Sequence, residues 1–221
     1  MIDEKHYDYI RDLDVNSHNV SCKYEPWEIE FEDNTFVLPR IKKIKKILSE
    51  SFNRSNLVSL YGQSNVDIET KFMATMIWGH EAPEGSKRDS RGPWKLSKMF
   101  QDQNQTSDIL GDIAISNEND IENAYKNIDK GIKRCGPSFF TKHFYFLGKS
   151  NSVNHYPVIF DNRVANGMVK ISCSNSQCLD IVTVNAKTKA KSYLEYLKMV
   201  HEQADLVGCE PDQIEYYLFT R

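Results

Sequence analysis

A mainly α-helical fold, built as one domain or two closely packed lobes with a small N-terminal β element, is what this sequence predicts. Three observations point there. Apolar residues recur at three- and four-residue intervals through most of the chain. Strict alternation is confined to one stretch, WEIEFEDNTFV at residues 27–37. The 221 residues are 40% apolar and 11% aromatic, with only ten Gly and seven Pro, which is enough to bury a sizeable core in an ordinary globular protein.

Taken in order, residues 1–24 show no firm periodicity and are expected to be loosely ordered. The alternating stretch suits a short hairpin turning at Asp33-Asn34, so residues 1–38 read as an acidic N-terminal extension and 39–221 as the helical domain. After Pro39, Ile41, Ile44, Ile47 and Leu48 form one helical stripe, with Lys42, Lys43, Lys45 and Lys46 outside it. That basic face either approaches a DNA backbone or is simply solvated. Residues 57–80 read as two helices broken at Gly62-Gln63-Ser64-Asn65; Asp67 caps the second, which turns Phe72, Met76 and Trp78 toward a core and ends at Gly79. A polar loop with Lys87, Arg88 and Arg91 leads to Gly92-Pro93-Trp94, which starts another helix. Residues 107–116 and 118–130 read as two more. Toward the C-terminus, residues 187–207 form a long helix with Tyr193, Leu194, Leu197, Val200 and Ala204 facing inward, and Pro211 opens a last one.

Composition excludes several classes of function. No apolar run approaches the ~20 residues needed to span a bilayer, and MIDEKHYDYI lacks the charge pattern and apolar centre of a signal peptide, so a cytoplasmic, membrane-free protein is expected. Five scattered cysteines, Cys22, Cys135, Cys173, Cys178 and Cys209, do not suit a disulfide framework there. His143, His155 and His201 are not spaced as a metal site, and no phosphate-cradling glycine loop or Ser-His-Asp arrangement is recognisable. The net charge of −3 is uneven: residues 1–34 hold ten acidic and three basic residues, a local −7 that leaves the remainder at +4. Local basic clusters decide whether a surface can hold phosphates. The acidic head is either a partner-binding segment or a solubilising extension.

The chemistry concentrates in residues 130–168. A Gly-bounded basic turn, Gly131-Ile-Lys-Arg-Cys-Gly136, connects two helices; backbone amides at the start of the second, beside Lys130, Lys133 and Arg134, can bind a phosphate without reading sequence. Pro137 suits a first helical position. The helix it opens carries Lys142 among Phe139, Phe140, Phe144, Tyr145 and Phe146, with apolar residues on most sides. A lysine embedded there either snorkels to the surface or is held without water, which frees its amine as a nucleophile. Nineteen residues on, Asp161 precedes the periodic Val164, Met168 and Ile171, as an N-cap would.

Gly136, Lys142 and Asp161, in this order and at this interval, with the string GPSFFTKHFYF, resemble the helix-hairpin-helix DNA glycosylases. The likeness is to the 8-oxoguanine branch and its divergent archaeal and bacterial relatives, and it covers roughly residues 67–221. The Gly-hydrophobic-Gly of the usual hairpin is absent. The resemblance implies two packed helical lobes, a hairpin gripping double-stranded DNA through Lys133, Arg134, Gly136 and Ser138, and a flipped base held by His80, Arg91, Trp94 and Phe146. Trp78 reads as core. Lys142 would attack the sugar C1′ and Asp161 would stabilise the developing positive charge. The four closely spaced cysteines that hold an iron–sulfur cluster in some relatives are missing, so neither cofactor nor metal is expected, and the protein is expected to act as a monomer. The resemblance points to 8-oxoguanine. The acidic head and long polar loop leave open a defence enzyme that excises a hypermodified base, such as glucosylated hydroxymethylcytosine, from phage DNA. A non-catalytic DNA-binding module is the third reading.

Overall fold

The computed structural model describes residues 2–80, 91–171 and 189–221. Lys87, Arg88, Cys173, Cys178 and the first two residues of the helix expected at 187–207 lie outside the described residues. After a short 3-10 turn the helices are α1 (Tyr7–Arg11), α2 (Glu25–Glu30), α3 (Val37–Leu48), α4 (Arg54–Tyr61), α5 (Ile68–His80), α6 (Gly92–Met99), α7 (Gln103–Gly111), α8 (Glu118–Gly131), α9 (Pro137–Ser150), α10 (Asn162–Ile171), α11 (Lys189–Val207) and α12 (Pro211–Phe219). The predicted mainly helical fold is borne out. No helix among the described residues is long and apolar enough to cross a membrane.

The expected hairpin at residues 27–37 is not formed. That stretch instead makes α2, a turn and the start of α3. Its alternation is too short to outweigh a competing spacing: Trp27 and Phe31, four apart, are both buried, Pro26 sits in the first helical turn, and Glu25 and Glu28 favour that helix's N-terminal end. Asn34 is a cap, not a hairpin corner, because its Oδ1 accepts the amides of Phe36 and Val37 at 3.0 and 2.8 Å. The sheet that does form has two strands, β1 (Val20–Ser21) and β2 (Ser51–Phe52), paired antiparallel with Val20 opposite Phe52.

Residues 2–24 are also better tied than their aperiodic sequence suggests. Ile10 is fully buried, the Ile2 amide donates to Gln203 on α11 at 2.9 Å, and Gln213 on α12 donates to the carbonyls of Ile10, Arg11 and Leu13. These are long-range anchors, with no local signature. On α3, Ile41, Ile44 and Leu48 face inward, but Ile47 lies at the edge of the stripe and is 37% exposed. The α7 helix starts four residues earlier than expected because the Asp102 carboxylate accepts the Gln105 amide at 3.0 Å.

The core is organised on α9, whose Phe140, Phe144, Tyr145 and Phe146 are all buried, with α4 and α5 packed on it and α8 alongside. Helices α10 and α12 approach so closely at Gly167 that any Cβ there would overlap the Leu218 carbonyl. The clash is with backbone, so rotamer changes cannot relieve it. Gly167→Ala should therefore cost about 3 kcal/mol, or roughly 10 °C in Tm, by thermal denaturation; an unchanged Tm would mean the two helices can separate freely.

Candidate active site

The α9 helix begins at Gly136, with Pro137 in its first turn, and projects Lys142 from its second turn. The side chain does not snorkel: Lys142 is 7% exposed, and its Nζ donates to the Ser138 carbonyl at 2.6 Å and to Asp161 Oδ2 at 3.1 Å. The aliphatic stem runs past Gly79 on α5, where a Cβ would lie 3.3 Å from Lys142 Cδ and 3.4 Å from Phe139 Cδ1. Glycine keeps that channel open.

Asp161 stands immediately before α10 and does two things at once. Its Oδ1 accepts the amides of Arg163 and Val164 at 3.0 and 3.1 Å, which caps the helix, while Oδ2 faces the lysine. Burial pushes its carboxyl up, but the Lys142 charge and the two amides outweigh that and hold it below the ordinary 3.8. The cap fixes the carboxylate's orientation, and the lysine gives it a partner.

Both groups open onto a cavity of about 300 Å³. Its walls come from distant parts of the chain: His18 from the N-terminal segment, Arg54 from α4, Trp78 from α5, Phe139 from α9 and Glu215, Tyr216 and Phe219 from α12. Trp78 packs edge-on against Phe146, and Tyr216 and Phe219 stack at 6.1 Å. In the same wall, Arg54 and Glu215 form a two-pronged ion pair at 2.6 and 3.2 Å, with side chains 4% and 0% exposed. His18 makes edge contacts with Trp78 and Phe219; burial, and then the charges of Arg54 and Arg163, lower its pKa and favour the neutral ring.

Of the residues expected to hold a base, none is in this wall. Phe146 is fully buried behind Trp78. His80 lies one layer out, stacked on Phe139 at 4.3 Å. Arg91 is on the surface just before α6. Trp94 is 40% exposed, with the Arg134 guanidinium 5.5 Å and the Lys98 ammonium 5.9 Å from its ring. Trp94 stands apart from the cavity wall on α6, which packs against α5 and α2. Trp78, read as core, is buried and also lines the cavity. Sequence reasoning missed His18, Arg54, Glu215 and Phe219. Only Glu215 and Phe219, four apart on one helix, carried a local signal; Arg54 and Glu215 lie 161 residues apart.

In the turn from α8 to α9, Lys133 and Arg134 are exposed and Arg134 has a left-handed φ of 63°. Its two glycines differ. A Cβ at Gly131 would meet the end of the Ile109 side chain, so a larger residue there would make Ile109 on α7 change rotamer. At Gly136, φ is −83° and a Cβ would meet nothing within 4 Å. The fold does not demand glycine there. Ser138 lines the cavity and supplies the carbonyl that holds Lys142. Among the described residues no group of three or more His, Cys, Asp or Glu could hold a metal ion.

A family model described as "Putative 8-oxoguanine DNA glycosylase OGG-like protein" matches residues 13–219. No curated protein and no solved structure matches the chain significantly. The match runs through both the hairpin and the Lys142–Asp161 pair and bears out the resemblance read from the sequence: the chain belongs to this OGG-like DNA glycosylase family.

Proposed function

We propose that the protein is a DNA glycosylase that flips a modified base out of a duplex and cuts its N-glycosidic bond, with Lys142 as nucleophile and Asp161 as the stabilising carboxylate. The observation that carries this reading is the Lys142–Asp161 pair, 3.1 Å apart and largely buried, in the wall of an aromatic cavity. Buried ammonium groups are rare without such a partner, and this pair faces open space. Attack at C1′ forms an N–C bond as the bond to the base breaks. The base departs with the electron pair and takes up a proton, and the lysine loses one. The Asp161 carboxylate stabilises the positive charge that develops on the sugar. Ring opening then gives a Schiff base, from which strand cleavage follows.

The family description favours 8-oxoguanine. A cavity of about 300 Å³ lies at the small end of ligand sites, which suits one flipped base better than a base carrying a sugar. A panel of duplexes bearing 8-oxoguanine, other oxidised bases or glucosylated hydroxymethylcytosine tests this: release of 8-oxoguanine is expected, release of the glucosylated base alone would replace the substrate, and duplex binding with no release of any base would remove the enzyme reading.

The hairpin is expected to grip the phosphate backbone through Lys133, Arg134 and the half-buried backbone at Gly136. Gly136→Ala provides a clean test because the fold leaves room for the methyl group. It should change stability by less than about 1 kcal/mol, yet weaken duplex binding about tenfold by fluorescence anisotropy, a loss of about 1.4 kcal/mol. Unchanged binding would mean that the duplex does not approach this backbone.

A further inference from the structure

Residues 151–161 carry the chain from α9, with its lysine, to the aspartate that opens α10. The last part of this strap has no helical ladder and is held by side chains. On one side, α11 supplies three bonds: His201 Nε2 to the Tyr156 carbonyl at 3.1 Å, Tyr193 OH to Val158 O at 2.8 Å and Tyr196 OH to Ile159 O at 2.8 Å. On the other, α9 supplies Thr141. This residue is fully buried; its hydroxyl donates to the Pro137 carbonyl at 2.7 Å and accepts the Phe160 amide at 3.1 Å.

Two consecutive rungs therefore join α9 to the strap, Thr141 to Phe160 and Lys142 to Asp161, each across nineteen residues. A hydroxyl has one proton, and the shorter contact to Pro137 uses it, so toward Phe160 the oxygen acts as acceptor. The Phe160 N–H lies one residue before Asp161. Without an acceptor this amide loses its tie, and the Ile159–Phe160 peptide unit just before Asp161 is held only through the Ile159 carbonyl.

We infer that Thr141 is a positioning residue for the reaction, its hydroxyl setting the Asp161 carboxylate in register with the Lys142 amine. Tyr193 and Tyr196 hold the strap's other edge. The inference rests on the reading of Lys142 and Asp161 as the reacting pair. Reacting groups tolerate little displacement, and about 1 Å of misplacement can cost roughly a hundredfold in rate. The other charged groups in the cavity wall with Asp161 are Arg54, Arg163 and Glu215, none of which touches Thr141 in a hydrogen bond or ion pair among the described residues.

The test uses the full chain and an abasic-site duplex, with borohydride trapping of the Schiff base measured at saturating DNA across the acid range. Thr141→Val keeps the shape and removes the acceptor; Thr141→Ser keeps the acceptor. With valine, trapping should slow by about tenfold to a hundredfold while duplex affinity stays within about twofold. The acid limb of its pH profile should move to higher pH, because an Asp161 no longer set under Lys142 loses what holds its carboxyl down. Serine should restore both. Should the valine variant fail to fold, Tyr196→Phe, which removes only the hydroxyl on Ile159 O, is expected to slow trapping in the same way and move the same limb. A folded variant with an unchanged rate, or a slower one whose acid limb stays put, overturns the inference. No adduct from the unaltered protein would remove the reading of Lys142 as nucleophile and this inference together, whereas normal trapping indifferent to Thr141 removes the inference alone.

Discussion

Lys142→Ala is expected to abolish the borohydride-trapped adduct and to slow base release by about four orders of magnitude, and Asp161→Asn to slow it by about two to four. The two losses differ in kind. Lysine supplies the bond-forming atom, for which no neighbour among the described residues substitutes, because Ser138 offers Lys142 only a carbonyl and the second partner of its Nζ is the aspartate itself. Asparagine in place of Asp161 keeps an oxygen for the amides of Arg163 and Val164, so the helix cap survives and the missing charge is isolated. Stability gives a second readout. Asp161 has a folded-state pKa below its ordinary value, so its pairing contributes stability at neutral pH that is lost as pH falls through the lowered value. In Lys142→Ala, without the lysine charge that holds the carboxyl down, that acid-dependent part of the unfolding free energy should shrink. Undiminished trapping by Lys142→Ala would remove it from the nucleophile's role, and full excision by Asp161→Asn would remove the charge from the chemistry.

How much of this was legible beforehand depended on distance along the chain. The helix at 137–150 could be read because Gly136, Pro137 and the aromatic run are neighbours, and the order of Lys142 and Asp161 could be read because one helix and one strap separate them. The cavity could not. Its walls join His18 to Trp78 and Arg54 to Glu215, contacts made across tens to more than a hundred residues, and no periodicity reports such a meeting. Trp94 and Phe146 have rings of the kind that can hold a base, but whether such a ring faces a cavity, the core or solvent depends on tertiary packing. The hairpin expected at residues 27–37 failed for a different reason. Trp27 and Phe31 fit a strand face and a helix face equally well over five residues, and the decision fell to Pro26 and the Asn34 cap.

Breaking the buried Arg54–Glu215 pair should have the largest effect on stability, about 3–5 kcal/mol for either single variant at neutral pH. The two losses should respond oppositely to acid. Burial raises the Glu215 pKa despite the opposing pull of Arg54, with Asp161 and Asp212 adding to the rise. In Arg54→Met the carboxyl is left without its cation and can escape by taking a proton. A raised folded-state pKa means that the native state binds the proton more readily than the unfolded chain does, so acidification from neutral pH toward the ordinary 4.5 should recover part of the lost stability. Glu215→Leu leaves the opposite problem, because a guanidinium sandwiched near the rings of Trp78, Tyr145 and Tyr216 cannot shed its proton at any accessible pH. Its loss should persist into acid. The double variant Arg54→Met/Glu215→Leu removes both charges and should regain most of the stability, by urea unfolding at pH 7 and pH 5. Identical pH responses of the two single variants would mean that water reaches the pair. If the stable double variant also excises base at the normal rate, the pair serves the wall of the cavity and not the chemistry inside it.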